Sequence, residues 1–135
     1  MIKDIKTFVS GMCETNSYIF SDEENNCVII DPEGRAEQYI KYISSNGLKP
    51  VCILLTHAHF DHIGAMEGLR KEYGIQVYAG ADEKKVLEDP NINLTSMIGK
   101  GQSFSADKYL SDGEEFTVGN MTFKTIFTPG HTCGS

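Results

Sequence analysis

Apolar and polar positions change period several times along the chain, and each change marks an expected element. Ile5 to Val9 and Ser17 to Phe20 read as extended β segments separated by a glycine-containing turn. A polar tip from Ser21 to Asn26 follows, then a third apolar segment from Cys27 to Ile30. The acidic tip lacks the alternating ligands and glycine of a calcium loop, so it is expected to be the solvated end of a hairpin. Asp31-Pro32-Glu33-Gly34 is turn chemistry, after which Tyr39, Ile40 and Ile43 recur at helical spacing until Gly47 closes the segment. Val51 to Leu55 is apolar without alternation, the pattern of an interior strand covered on both faces. Met66, Leu69 and Tyr73 repeat every three to four residues, so a helix is expected there, stopped by Gly74.

Beyond it, Gln76 to Ala79 reads as a short strand and Asp82 to Leu87 as a helix ending before Pro90. Asn91 to Ala106 is polar and glycine-rich, giving a long loop with no element beyond a turn of helix. Phe116 to Val118 and Met121 to Phe127 flank Gly119-Asn120, the two-residue signature of a tight hairpin. That hairpin delivers Thr128-Pro129-Gly130-His131 at a strand end. No internal repeat or interdomain linker is visible.

At 135 residues with 40% apolar side chains, the chain has the size and composition of one domain with a core. Nineteen acidic against twelve basic residues leave a net charge of −7, which disfavours nucleic acid and anionic membrane as partners. No apolar run approaches the roughly 20 residues of a membrane span, and the amino terminus has no apolar leader core, so a soluble, cytoplasmic protein is expected. The four cysteines, Cys13, Cys27, Cys52 and Cys133, fit no C-x-x-C spacing. Cys27 and Cys52 sit in apolar runs and are expected to be small core residues.

Three of the four histidines, His57, His59 and His62, fall within six positions together with Asp61, between the expected buried strand and the following helix. Imidazole nitrogen and carboxylate oxygen are the donors that a borderline-soft divalent ion takes. In an extended segment His57 and His59 project to one side, while Asp61 and His62 point elsewhere as the chain turns. One short segment therefore serves two neighbouring ions. The fourth histidine, His131, follows the Pro-Gly turn of a separate loop. Three imidazoles on one zinc leave an open position for water, the arrangement of a catalytic site.

The run His57-x-His59-x-Asp61-His62 after a buried strand, followed by Ile63-Gly64-Ala65, resembles the signature of the metallo-β-lactamase superfamily. Thr128 to Ser135 is similar to that family's second metal motif, Asp31 to Gly34 to the turn before its first helix, and Thr15-Asn16-Ser17-Tyr18 to an early motif of glyoxalase II-like members. The resemblance implies an α+β chain, an αββα sandwich of metallo-β-lactamase type represented by its first half and the start of its second. Residues 1–135 are thus expected to form one such domain, shortened at the C-terminal side.

The resemblance also implies roles. His57, His59 and His131 bind a first metal, Asp61 and His62 a second, with Asp31 supporting the loop and not ligating. Zinc is the expected ion, with iron or manganese as alternatives. The implied chemistry is metal-assisted hydrolysis of a small acyl or thioester substrate, with Asp61 as the catalytic group that orients water and accepts its proton. Cys133 stands where the family has proline, and a small residue filling the turn is the expected role.

No histidine follows His131, and the bridging acidic residue of the family has no counterpart here. Two protein ligands are too few for a firm second zinc site, so it is expected to be weak, and the 135-residue chain is expected to turn over little substrate. Missing strands would leave open sheet edges that invite self-association into homo-oligomers. Two other readings stay open: a mononuclear iron persulfide dioxygenase, and a metal-binding or assembly module without catalysis.

Overall fold

The computed structural model of the chain describes residues 2–10, 15–56, 65–89 and 104–126. Two long antiparallel strands open it, β1 (Ile2–Ser10) and β2 (Thr15–Asp22), and β3 (Asn26–Ile30) returns beside β2. Helix α1 (Ala36–Ser45) then carries the chain over to β4 (Lys49–Leu54), parallel to β3. Helix α2 (Met66–Tyr73) leads in the same way to β5 (Gln76–Gly80), parallel to β4. A 3₁₀ turn at Ala81–Glu83 runs into α3 (Lys84–Glu88), and a short strand β6 (Lys108–Leu110) pairs in parallel with β5. The six strands form one sheet in sequence order, and β7 (Glu115–Val118) with β8 (Met121–Lys124) forms a separate two-stranded sheet.

The alternation of β4 explains the layering. Ile53 faces one way, into a core with Ile29, Tyr39, Ile43, Met66, Leu69 and Val77, so the helices cover that face. Cys52 faces the other way and packs with Val28 and with Met121 of the hairpin. Both residues are buried, as an interior strand without alternation requires. Helices α1 and α2 approach so closely that a Cβ on Gly68 would stand 2.9 Å from the Ala36 Cβ. Gly74 ends α2 in the left-handed conformation, φ 62°, its N–H bonded to the Arg70 carbonyl at 2.9 Å.

Four expectations need correction. The expected solvated tip is not wholly solvated: Ser21 and Asp22 belong to β2 and both are buried. The helix read from Asp82 to Leu87 is a 3₁₀ turn followed by a helix that starts two residues later and ends one residue later. Strand β6 had no readable signal, because three residues are too few to show alternation. Finally, β8 ends at Lys124 rather than Phe127, although Thr125 still donates its N–H to the Glu114 carbonyl at 2.8 Å. Of the long loop expected from Asn91 to Ala106, only residues 104–106 are described, and they form no regular element.

Candidate metal centre

At the C-terminal ends of β3 and β4 the chain builds a rigid turn from polar groups. Asp31 leaves β3 with φ 50°, a left-handed conformation that aspartate tolerates better than most residues. Its carboxylate accepts the Thr56 backbone N–H at 2.7 Å and also the Thr56 hydroxyl. Its own N–H bonds to the Leu54 carbonyl at 3.0 Å. The Ser17 hydroxyl, buried in β2, donates to the Asp31 carbonyl at 2.6 Å and accepts the Glu33 N–H at 3.3 Å. Tyr39, fully buried in α1, donates its hydroxyl to the Glu33 carbonyl at 2.6 Å.

This turn grips both ends of the histidine-rich segment. Thr56 immediately precedes His57, and Ala65, which follows that segment, donates its N–H to the Pro32 carbonyl at 2.8 Å. Asp31 thus ties Thr56, the last described residue before the histidine-rich segment, to the turn through its carboxylate. The residues expected to ligate metal, His57, His59, Asp61, His62 and His131, lie outside the described residues, as does Cys133. Among the described residues no group of three or more His, Cys, Asp or Glu side chains could hold a metal ion.

A cavity of about 290 Å³ opens beside the turn, between the two sheets. Ile30, Leu54 and Tyr78 line it from the six-stranded sheet, Phe116 and Phe123 from the hairpin. Thr56 lies at its wall, and so do Thr125 and Ile126, which lead toward His131. The two stretches of chain that run into the two histidine motifs thus border a single space.

Sequence reasoning missed a second polar anchor at the opposite end of β3. The Asp22 carboxylate accepts the Glu24 and Asn26 backbone N–H groups, each at 2.9 Å, and the Asn26 side-chain amide at 3.1 Å. It also accepts the backbone N–H of Asn120 at the tip of the β7–β8 hairpin. Burial works against its charge, but the donors from Asn120, Asn26 and Glu24 outweigh it and hold its pKa down to about 2. Asp22 thereby orients the hairpin from which His131 follows.

A family model described as the metallo-beta-lactamase superfamily matches residues 10–135. The chain belongs to the metallo-beta-lactamase superfamily. Its relatives include a Bacillus subtilis protein described as a probable metallo-hydrolase, YqgX, 39% identical over 128 residues, or 93% of this chain and 60% of that protein. Hydroxyacylglutathione hydrolase GloC of Haemophilus influenzae is 31% identical over 124 residues, or 90% of this chain and 58% of its own length. Among solved structures, the BLEG-1 B3 metallo-beta-lactamase superposes with a TM-score of 0.90 at 39% identity, over 98% of this chain and 65% of that one. The crystal structure of TTHA1623 in a di-iron-bound form gives a TM-score of 0.79 at 28% identity, over 96% of this chain and 63% of that one.

The fold of the chain is that of the metallo-beta-lactamase superfamily, whose members include metallo-hydrolases. The chain spans about 60% of the length of the curated relatives it matches. The described residues supply one helix layer and two sheets, as expected for the first half of the sandwich and the start of its second. No helix among the described residues is long and apolar enough to cross a membrane.

Proposed function

We propose that this chain carries the metal-binding core of a hydrolase that cleaves an ester or thioester carbonyl. The supporting observation is the shared cavity: Thr56, next to His57, and Ile126, five residues before His131, line the same space. The donor chemistry fits a metal ion, because four imidazoles and one carboxylate follow Thr56 and Ile126 in the sequence within a few residues and Asp31 is already engaged by Thr56. His57, His59 and His131 would hold the first ion, and Asp61 with His62 a second one. Zinc is the first choice and iron or manganese the alternatives, one solved neighbour being a di-iron-bound form. A bound ion of this kind lowers the pKa of water to about 7 and polarises a carbonyl.

The chain's own groups do the rest. Asp61 orients the attacking water and accepts its proton, while Asp31 fixes Thr56 and so the direction in which the histidine segment departs. The thioester reading draws on the hydroxyacylglutathione hydrolase relative. A small-molecule substrate in the cytoplasm, with no nucleic acid or membrane partner, fits the charge balance.

The test is metal content combined with turnover of an ester and thioester panel. Purified chain grown with zinc is expected to hold the metal, with binding lost in His57→Ala and His131→Ala. Its turnover is expected to vanish in Asp61→Asn. Wild-type chain that takes up no divalent metal would sink the proposal.

A further inference from the structure

Strand β2 alternates, with Thr15, Ser17 and Ile19 buried on one face and Asn16 exposed on the other. Ile19 joins the helix-side core, so Ser17 places a hydroxyl on a face where its neighbour is apolar. A buried hydroxyl is costly unless it finds hydrogen-bond partners. Ser17 uses its proton and a lone pair across long stretches of chain: it donates to Asp31, 14 positions on, and accepts from Glu33, 16 positions on. It belongs to the Thr15–Tyr18 run, to which the proposed function assigns no role.

The bond to Asp31 falls on a strained residue. At φ 50° Asp31 holds a conformation that a residue other than glycine keeps only where its surroundings fix it. The Leu54 carbonyl holds its N–H, and the Ser17 hydroxyl holds its carbonyl. From between these two clamps the side chain reaches Thr56 and accepts both its N–H and its hydroxyl. One hydroxyl in β2 therefore helps to fix the backbone from which the carboxylate is aimed. Ser17, Asp31 and Glu33 are all buried, so these bonds compete little with water.

Resting on the metal-binding reading above, we infer that Ser17 is a positioning residue of the metal centre. Its hydroxyl acts through Asp31 on Thr56, which immediately precedes His57. The role needs no contact with metal or substrate. Partners at this remove govern affinity because a ligand turned away from its direction binds more weakly. A serine that merely filled its place in the core would affect stability alone.

The probes are zinc, titrated against a chelator, and cobalt, whose visible absorption reports ligand geometry. Ser17→Ala should weaken zinc about tenfold and alter the cobalt spectrum. Its Thr56 amide should exchange with solvent about tenfold faster, as the hold of Asp31 loosens. Ile43→Val is the control, a truncation in the helix-side core outside the turn. It should lower the urea midpoint and leave zinc affinity unchanged. Added to Asp31→Asn, Ser17→Ala should cost no further affinity, since both act on one link. If Ser17→Ala does not fold, Ser17→Cys, a weak donor and acceptor of similar size, takes its place. Wild-type zinc affinity in the Ser17 variant, an equal loss in Ile43→Val, or additive losses in the double variant would overturn the inference. Failure of the metal-binding reading has a different signature: wild type binds neither ion, while Thr56 still exchanges faster in Ser17→Ala.

Discussion

The Asp22 carboxylate accepts the backbone N–H of Asn120 at 2.9 Å, joining residues 98 positions apart in the chain. The same carboxylate closes the turn into β3, so one side chain sets the position of the hairpin against the six-stranded sheet. The approach is close. Gly119 has φ 58°, and a Cβ there would lie 2.8 Å from the Asn26 Cβ and 3.0 Å from the Asp22 carboxylate. Asp22→Ala strips the acceptor from three backbone donors and is expected to cost about 1–3 kcal/mol. Gly119→Ala should destabilise too, through backbone strain and the clash with Asn26. Urea unfolding of both variants checks this, and midpoints equal to wild type would show that the clasp contributes nothing.

Protonation of the same group makes a second prediction. The Asp22 pKa is lowered from 3.8 to about 2 in the folded chain. A group whose folded pKa is depressed contributes stability above its unfolded value and loses it as pH falls toward the folded one. Asp22 should therefore support the fold in full above about pH 4 and progressively less down to about pH 2. Stability measured over that window should fall more steeply in wild type than in Asp22→Asn. Parallel curves would count against the assignment.

At the other end of β3, Asp31 bears on metal affinity. Asparagine tolerates the left-handed conformation at this position and keeps the backbone bonds, so Asp31→Asn removes charge with little change of shape. With Thr56 held less firmly, the histidine segment should bind zinc about 10- to 100-fold more weakly, the loss usual when a supporting partner of a metal site is altered. Competition with a chelator measures it, alongside urea unfolding to show the fold intact. Unchanged zinc affinity would confine Asp31 to a purely architectural role.

Much of this architecture was legible in the sequence because periodicity reports burial. The uninterrupted run at Val51 to Leu55 announced a strand covered on both faces, and Cys52 and Ile53 occupy opposite cores. Gly74 announced the end of α2, and the Asp31 turn was implied by its motif before its bonds to Thr56 were seen. Asp22 was not legible, since a single acid in an acidic run looks like any solvated residue and its partner is at the far end of the chain. Strand β6 was hidden by brevity. It begins after Asp107, which accepts the Val77 N–H and the Arg70 guanidinium, each at 2.8 Å, a tertiary arrangement that no local pattern encodes. The histidine motif is a local signal that the sequence carries plainly, and its residues lie outside the described ones.

The two described cysteines should be chemically silent. Cys27 is fully buried and Cys52 nearly so, both as free thiols. Burial pushes each thiol up to about 12, helped at Cys27 by the neighbouring Cys52 and by the Asp22 charge. At pH 8 only about one molecule in ten thousand would carry a thiolate at either position, and the thiolate is the reactive form. Iodoacetamide should leave Cys27 and Cys52 unmodified in the native chain and label both in urea, as read by peptide mass spectrometry. Since the two residues lie on opposite faces of the six-stranded sheet, their labelling reports on the helix-side and hairpin-side cores separately. Asp22→Ala loosens the hairpin, which covers only Cys52. In that variant Cys52 should be labelled before Cys27, and equal rates would mean that the two cores open together.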